Sequence, residues 1–320
     1  MSKRVLLTRR MPPAAAEVLA RAGLTVDVID TEEPPPRDEV IARARGCAGL
    51  ITMLSDRIDV EFLEAVGPSL RVVANYAVGF DNIDLAACKQ RGVRVTNTPG
   101  VLTEATADLV WALILAAARN VAAGDRLVRG GKWQGWAPTQ LLGLELYGAT
   151  LGILGAGRIG SVVARRSLGF RMRLLYTDTR PNEELEQELD AERVELDRLI
   201  AESDVLSLHV PMTPEVHHLI GTAQFKAMKP TAILVNSARG PIVDETALVE
   251  ALRTGQIAAA GLDVYENEPR LAPGLAELPN VVLLPHLGSG TTTTRSRMAA
   301  MAAENVVAVL SGREPPNSVT

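Results

Sequence analysis

Cysteine is almost absent from this sequence: Cys47 and Cys88 are the two in 320 residues. Neither sits at a spacing used for metal binding or thiol–disulfide exchange, so both read as reduced thiols and a disulfide framework is excluded. Histidine is nearly as scarce. His209, His217, His218 and His286 are the four, and no spacing among them suggests a ligand set, so no metal is expected. An excess of positive charge is also lacking. Lys and Arg number 33 against 38 Asp and Glu, a net charge of -5. That sets nucleic acid aside as a partner, because nothing is left over to neutralise a run of phosphates. The longest uninterrupted apolar run, Leu109 to Ala118, falls far short of the roughly 20 residues that a membrane span needs. Residues 1–8 carry no signal-type apolar stretch and read directly as a strand. These absences predict a soluble cytoplasmic protein with no membrane partner. Internal repeats and low-complexity tracts are missing too, which excludes a solenoid.

What is present is alternation. Short apolar runs at 4–8, 25–29, 49–53 and 71–74 read as buried strands, and segments with helical periodicity at 14–22 and 37–45 lie between them. Strands that alternate with helices imply a parallel sheet covered on its faces. The run Pro34-Pro35-Pro36 reads as a loop within this part. The pattern changes after Asn97-Thr98-Pro99-Gly100. Residues 103–129 read as one long helix, too long for a simple crossover, and a loop with Trp133, Trp136 and Pro138 follows. A second βα series then starts at Thr150, with strands predicted at 150–154, 173–177, 204–208, 232–235, 259–263 and 281–284, and a final helix at 292–310. The expected organisation is a first domain of residues 1–98 completed by 289–320, with 99–288 inserted as a second.

The inserted domain carries a fingerprint. Gly155-Ala156-Gly157-Arg158-Ile159-Gly160 fits G-x-G-x-x-G, directly after an apolar strand and at the start of a helix. That context is what dinucleotide binding requires. Gly155 is expected to make the tight turn, Gly157 to let the backbone approach a pyrophosphate, and Gly160 to let helix and strand pack closely, with the pyrophosphate at the helix N-terminus. Asp178 ends the next strand, about 20 residues on, where an acid binds the adenosine ribose diol. A carboxylate there repels a 2′-phosphate, which predicts NAD, while Arg180 two residues later keeps NADP open. The predicted fold is therefore α/β in two domains, a Rossmann dinucleotide-binding domain inserted into a flavodoxin-like substrate domain.

Three further segments follow strand ends of the inserted domain: Asn236-Ser237-Ala238-Arg239-Gly240, Asp263-Val264-Tyr265-Glu266-Asn267-Glu268-Pro269 and Pro285-His286-Leu287-Gly288-Ser289. Ligands of open parallel sheets bind beyond the carboxyl ends of the strands, so Arg239, Glu268 and His286 are predicted at the edge where a nicotinamide would lie. The set suits a 2-keto acid. Arg239 can hold a carboxylate and polarise a carbonyl. His286 can donate a proton to the carbonyl oxygen as hydride reaches the carbon. Glu268 beside it would favour the imidazolium. His209, at a strand end, is expected near the cofactor, and His217 and His218 on the surface.

With these segments in order, joined by Ala74-Asn75-Tyr76-Ala77-Val78-Gly79-Phe80-Asp81-Asn82-Ile83-Asp84, Thr96-Asn97-Thr98-Pro99-Gly100-Val101-Leu102-Thr103 and Leu208-His209-Val210-Pro211, the chain resembles the D-isomer-specific 2-hydroxyacid dehydrogenases, and among them the glyoxylate/hydroxypyruvate reductases. The resemblance implies reduction of a small 2-keto acid, glyoxylate or hydroxypyruvate, to the D-2-hydroxy acid. It implies Arg239, Glu268 and His286 as the catalytic triad, and a homodimer built by the helix and loop at 103–147. It further implies Val78 and Gly79 as backbone donors to the substrate carboxylate, Met53 and Leu54 as pocket walls, Ser289 as a pocket residue, and Trp136 as a residue reaching the partner's active site. The cofactor contacts expected are Thr106, Gly155, Gly157, Arg158, Ile159, Gly160, Asp178, Thr179, Arg180, His209, Val210, Pro211, Ser237, Ala238, Asp263 and Gly288. NADP-using relatives place a small or neutral residue where Asp178 stands, followed at once by Arg, whereas Thr179 intervenes here. The alternatives are a phosphoglycerate dehydrogenase or another D-2-hydroxyacid dehydrogenase with the same triad and, outside enzymes, an NAD-sensing corepressor-like binding protein. A formate-oxidising relative would pair Gln, not Glu268, with the histidine.

Overall fold

The structure is a computed structural model that describes residues 3–320. Among the described residues, twelve strands form two sheets. β1 (Arg4–Leu7), β2 (Thr25–Val28), β3 (Gly49–Thr52), β4 (Val72–Asn75) and β5 (Arg94–Thr96) make the first. β6 (Thr150–Leu154), β7 (Arg173–Thr177), β8 (Glu192–Arg193), β9 (Val205–Leu208), β10 (Ile233–Asn236), β11 (Ala259–Leu262) and β12 (Val281–Leu283) make the second. The helices in chain order are α1 (Ala14–Arg21), α2 (Arg37–Ala44), α3 (Val60–Val66), α4 (Leu85–Gln90), α5 (Thr103–Ala118), α6 (Val121–Arg129), α7 (Arg158–Arg166), α8 (Glu183–Leu189), α9 (Leu196–Glu202), α10 (Thr222–Ala227), α11 (Glu245–Arg253) and α12 (Thr292–Leu310). The chain divides into two compact units, Met1–Leu102 with Ser289–Thr320, and Thr103–Gly288.

In the first unit the parallel sheet runs β2-β1-β3-β4-β5, the flavodoxin-like order. Its inner strands β1, β3 and β4 are largely apolar on both sides because both faces are covered. Leu6, Leu50, Val73 and Val95 face α2, α3 and α4 through Val40, Phe62, Leu63 and Ala87. Val5, Leu7, Ile51, Val72 and Ala74 face α1 and α12 through Leu19, Ala299, Ala302, Ala303 and Val306. The small residues of α12 allow a close approach, and Gly49 completes it: a Cβ there would stand 3.0 Å from Val306 Cγ1. Cys47 and Cys88 are free and buried in the first of these layers. Burial pushes the Cys88 thiol up to about 11, so it stays protonated.

In the second unit the parallel sheet runs β12-β11-β10-β9-β6-β7-β8. Counted within the unit, this is the doubly wound 3-2-1-4-5-6 order with one strand added. α5 lies on one face, its Leu113 against Gly261 of β11, where a Cβ would meet Leu113 Cβ at 3.1 Å. Trp111 of α5 donates from Nε1 to the Val163 carbonyl at 3.0 Å and stacks on Phe170. The opposite face packs Phe225, Leu248, Val249 and Leu252 of α10 and α11.

Residues 103–129 do not form the single helix that periodicity predicts. The helix breaks after Ala118, Asn120 takes a left-handed φ of 53°, and α6 leaves at 66° to α5. Asn tolerates that conformation better than most residues, and its Nδ2 bonds the Leu142 carbonyl at 3.1 Å, which fixes the loop behind it. Two strands, β5 and β8, were not predicted, being three and two residues long. Among the described residues no single helix is long and apolar enough to cross a membrane.

Candidate active site

Register places the candidate residues of the second unit. Leu283, Leu262, Asn236, Leu208, Leu154 and Thr177 pair successively across β12, β11, β10, β9, β6 and β7. Every cofactor or catalytic segment of this unit read from the sequence, Thr106 and Trp136 apart, begins just past this row, so parallel pairing alone delivers six segments to one edge. The chain reverses direction of travel between β6 and β9, and that switch point is where doubly wound sheets bind their ligands.

At that point Gly155 has a φ of 96°, and a Cβ on it would come within 2.8 Å of the His209 and Val210 backbone. A Cβ on Gly160 would come within 2.1 Å of the Gly155 carbonyl oxygen. Both positions therefore need glycine for space, and Gly155 for its backbone as well. Gly157 differs: a Cβ there meets nothing within 4 Å. It caps α7 at an open cradle, facing the positive end of a nine-residue helix. Ser237 Oγ is buried and has no hydrogen-bond partner, as expected of a group awaiting a ligand. These features fit a dinucleotide. His209 shares its Nε2 with Ser207 Oγ at 2.8 Å, and desolvation pushes it down to about 3, so it is neutral. Asp178 is partly exposed at the end of β7, its Oδ1 3.2 Å from the Thr179 hydroxyl. The Arg193 guanidinium grips the Asp178 carbonyl at 2.9 Å and the Thr179 carbonyl at 3.4 Å. Sequence reasoning missed this brace, because an arginine on a two-residue strand carries no motif.

The chemistry-bearing side chains lie beyond β10, β11 and β12. His286 Nδ1 is 3.0 Å from Glu268 Oε2. Burial pushes the Glu268 carboxyl up, but the His286 hydrogen bond and charge, the Tyr265 N–H and Arg239 outweigh it, and the net shift is downward. Glu268 is thus a carboxylate near neutral pH, able to fix the imidazole tautomer and orient the ring. The other oxygen of Glu268 accepts the Tyr265 N–H at 3.0 Å, and the Tyr265 hydroxyl donates to the Leu284 carbonyl at 2.9 Å. The turn bearing Glu268 is therefore tied to the segment after β12 that bears His286. Asn236 braces Arg239, donating to its carbonyl at 2.9 Å and accepting the Ala238 N–H at 3.0 Å.

Asp263 plays a part that the sequence reading did not assign. It is buried, and its carboxylate accepts the N–H groups of Leu287 at 2.6 Å and Gly288 at 2.8 Å. Burial pushes its pKa up, against these bonds and the charge of His286. The effect is to hold His286 in a left-handed backbone with φ of 55°, a conformation costly for a residue with a side chain. Thr106 borders the same place, 3.5 Å from where a Gly288 Cβ would stand. Gly240 is equally tight: its Cβ would fall 1.8 Å from the Tyr265 carbonyl carbon. The missed signal was the glycine itself, one residue after the arginine.

In the first unit, Met53 and Leu54 follow β3, and Val78 and Gly79 follow β4, at one end of neighbouring strands. Asn75 Nδ2 bonds the Gly79 carbonyl and Asn97 Nδ2 the Val78 carbonyl, both at 2.8 Å, and Asn82 Nδ2 bonds the Met53 carbonyl at 3.1 Å. These asparagines fix the loops from below. Ser289 is partly exposed where the chain re-enters this unit. Trp136, by contrast, is 83% exposed.

A nucleotide cradle, an Arg, and a His–Glu pair at the ends of adjacent strands define a nicotinamide-dependent oxidoreductase on a doubly wound sheet. Residues 111–288 match the family model described as D-isomer specific 2-hydroxyacid dehydrogenase, NAD binding domain, and the chain belongs to that family. It is 51% identical over 322 residues to a glyoxylate reductase of Korarchaeum cryptofilum, covering 100% of this chain and 96% of the relative. A solved protein from Thermus thermophilus superposes with a TM-score of 0.92 at 50% identity, over 99% of this chain and 100% of that one. An NADPH-dependent glyoxylate/hydroxypyruvate reductase of Sinorhizobium meliloti, solved with NADP and malonate, gives 0.88 at 34% identity, over 100% and 97%.

Proposed function

We propose that this chain reduces glyoxylate to glycolate, and hydroxypyruvate as a second substrate to its D-2-hydroxy acid, with NADH preferred over NADPH. The observation that supports this reading most is the 3.0 Å contact of His286 with Glu268, with Arg239 on the neighbouring strand end. A bound reduced nicotinamide supplies the hydride. Arg239 holds the substrate carboxylate and polarises the adjacent carbonyl, with two donors in one plane. With His286 Nδ1 engaged by Glu268, Nε2 is the nitrogen that gives its proton to the carbonyl oxygen, and Glu268 stabilises the ring while it is charged. In the oxidative direction the same nitrogen takes the hydroxyl proton. The glyoxylate reductases among the relatives support the choice of substrate, and Asp178 supports the choice of cofactor.

A homodimer belongs to the same proposal. Val121, Val128, Trp133, Trp136, Leu142 and Tyr147 stand exposed along α6 and the segment after it, an apolar surface of the kind a monomer rarely leaves open. Met53, Leu54, Val78, Gly79 and Ser289 are proposed as the first unit's substrate contacts. The test is a spectrophotometric panel of glyoxylate, hydroxypyruvate, pyruvate and phosphohydroxypyruvate with NADH and NADPH, with light scattering for the dimer. Turnover fastest on phosphohydroxypyruvate, or none on any keto acid, refutes the reading.

A further inference from the structure

Sequence spacing offers no metal site, but the fold brings three donors together outside the candidate catalytic set. His217 and His218 follow a short turn at Pro214–Val216, and their rings stack with centroids 4.0 Å apart. His218 has a left-handed φ of 51°, and its N–H is fixed by the Pro241 carbonyl at 2.8 Å. Its Nε2 lies 2.8 Å from Glu266 Oε1. One ligand atom from each of His217, His218 and Glu266 falls within 4.8 Å of the others. Glu266 is itself held: its N–H donates to the buried Glu245 carboxyl at 2.8 Å, and Gly240 packs directly against its backbone.

We infer that His217, His218 and Glu266 form a surface site for a divalent transition-metal ion, zinc in the first place. Two imidazoles and one carboxylate are the donors that zinc takes at about 2.0–2.2 Å, with a water free to fill the fourth position. Donor atoms around a tetrahedral ion of that size stand roughly 3.3 Å apart. The His218–Glu266 pair is slightly closer than this, so the ion enters in place of their shared proton. The exposed His217 ring is the member with room to close on it. A plain hydrogen-bonded His–Glu pair would need no third donor, and His217 supplies one.

Zinc is titrated by calorimetry into the tag-free, full-length chain after dialysis against a chelator. One ion per chain with micromolar affinity is expected, and His217→Ala and Glu266→Gln should each weaken it by about tenfold or more. His217→Ala removes only an exposed ring, and melting curves of both metal-free variants report whether they remain folded. Wild-type protein that takes up no zinc below millimolar concentration overturns the inference. So does a folded variant of either kind that keeps wild-type affinity, since the ion would then sit elsewhere, for example on His286 and Glu268.

Discussion

Replacing Gly240 with alanine should separate two segments of the candidate active site without altering any of the side chains proposed to react. The added Cβ would stand 1.8 Å from the Tyr265 carbonyl carbon, 2.0 Å from its oxygen and 2.3 Å from the Glu266 nitrogen, against the 3.4 Å at which ordinary contact begins. All three neighbours are backbone, so no side chain can swing away. The two segments must part by roughly 1.5 Å, and a misplacement of about 1 Å can cost on the order of 100-fold in rate. One segment carries Arg239, the next residue back. The other carries Glu268, whose carboxylate the Tyr265 N–H holds. Overpacking of this kind also costs about 1–3 kcal/mol of stability. Gly240→Ala is therefore expected to lower kcat/KM on glyoxylate by about 100-fold or more, lower Tm by several degrees, and leave NADH binding, followed by fluorescence, close to wild type. A variant with wild-type kcat/KM and unchanged Tm would show that the Arg239 segment does not need this close packing.

His286→Ala should reduce turnover by about 100- to 10,000-fold while NADH still binds; steady-state rates near wild type would remove His286 as the proton donor. Arg239→Lys keeps the charge but loses the planar fork, so a clear fall in kcat/KM is expected, and unchanged kinetics would exclude the bidentate role. Asp178→Ser should move the ratio of NADH to NADPH efficiencies toward NADPH, because the ribose acceptor is lost and a phosphate is no longer repelled. A wild type that already prefers NADPH, or a variant with no shift, would assign the choice to Arg180 or Arg193.

Much of this molecule is local information. Buried parallel strands are continuous apolar runs, which is why β6 and β7 are legible to the residue and most others to within one or two. The glycine fingerprint announces its own turn, since Gly155 needs a positive φ and Gly160 a missing side chain. β8 escaped because Glu192-Arg193 is polar and two residues long. The bend at Asn120 escaped because helical periodicity does not mark a single left-handed residue; the sign it left was the end of the apolar run at Ala118, beyond which α6 buries none of its residues.

The amino-acid sequence by itself determined the α/β class, the Rossmann fingerprint, the order of the strand-end motifs and the residue types available for chemistry. Those depend on patterns within ten or twenty neighbours. Only the tertiary structure decided which of them meet. Asp263 reaches across to the backbone of Leu287 and Gly288, Gly240 lies flush against Tyr265, and Glu266 closes on His218, over separations of 24, 25 and 48 residues where hydrogen bonds record them. Such contacts are set by the register of parallel strands joined through long crossovers, and a side chain carries no local mark of the partner that register will bring it.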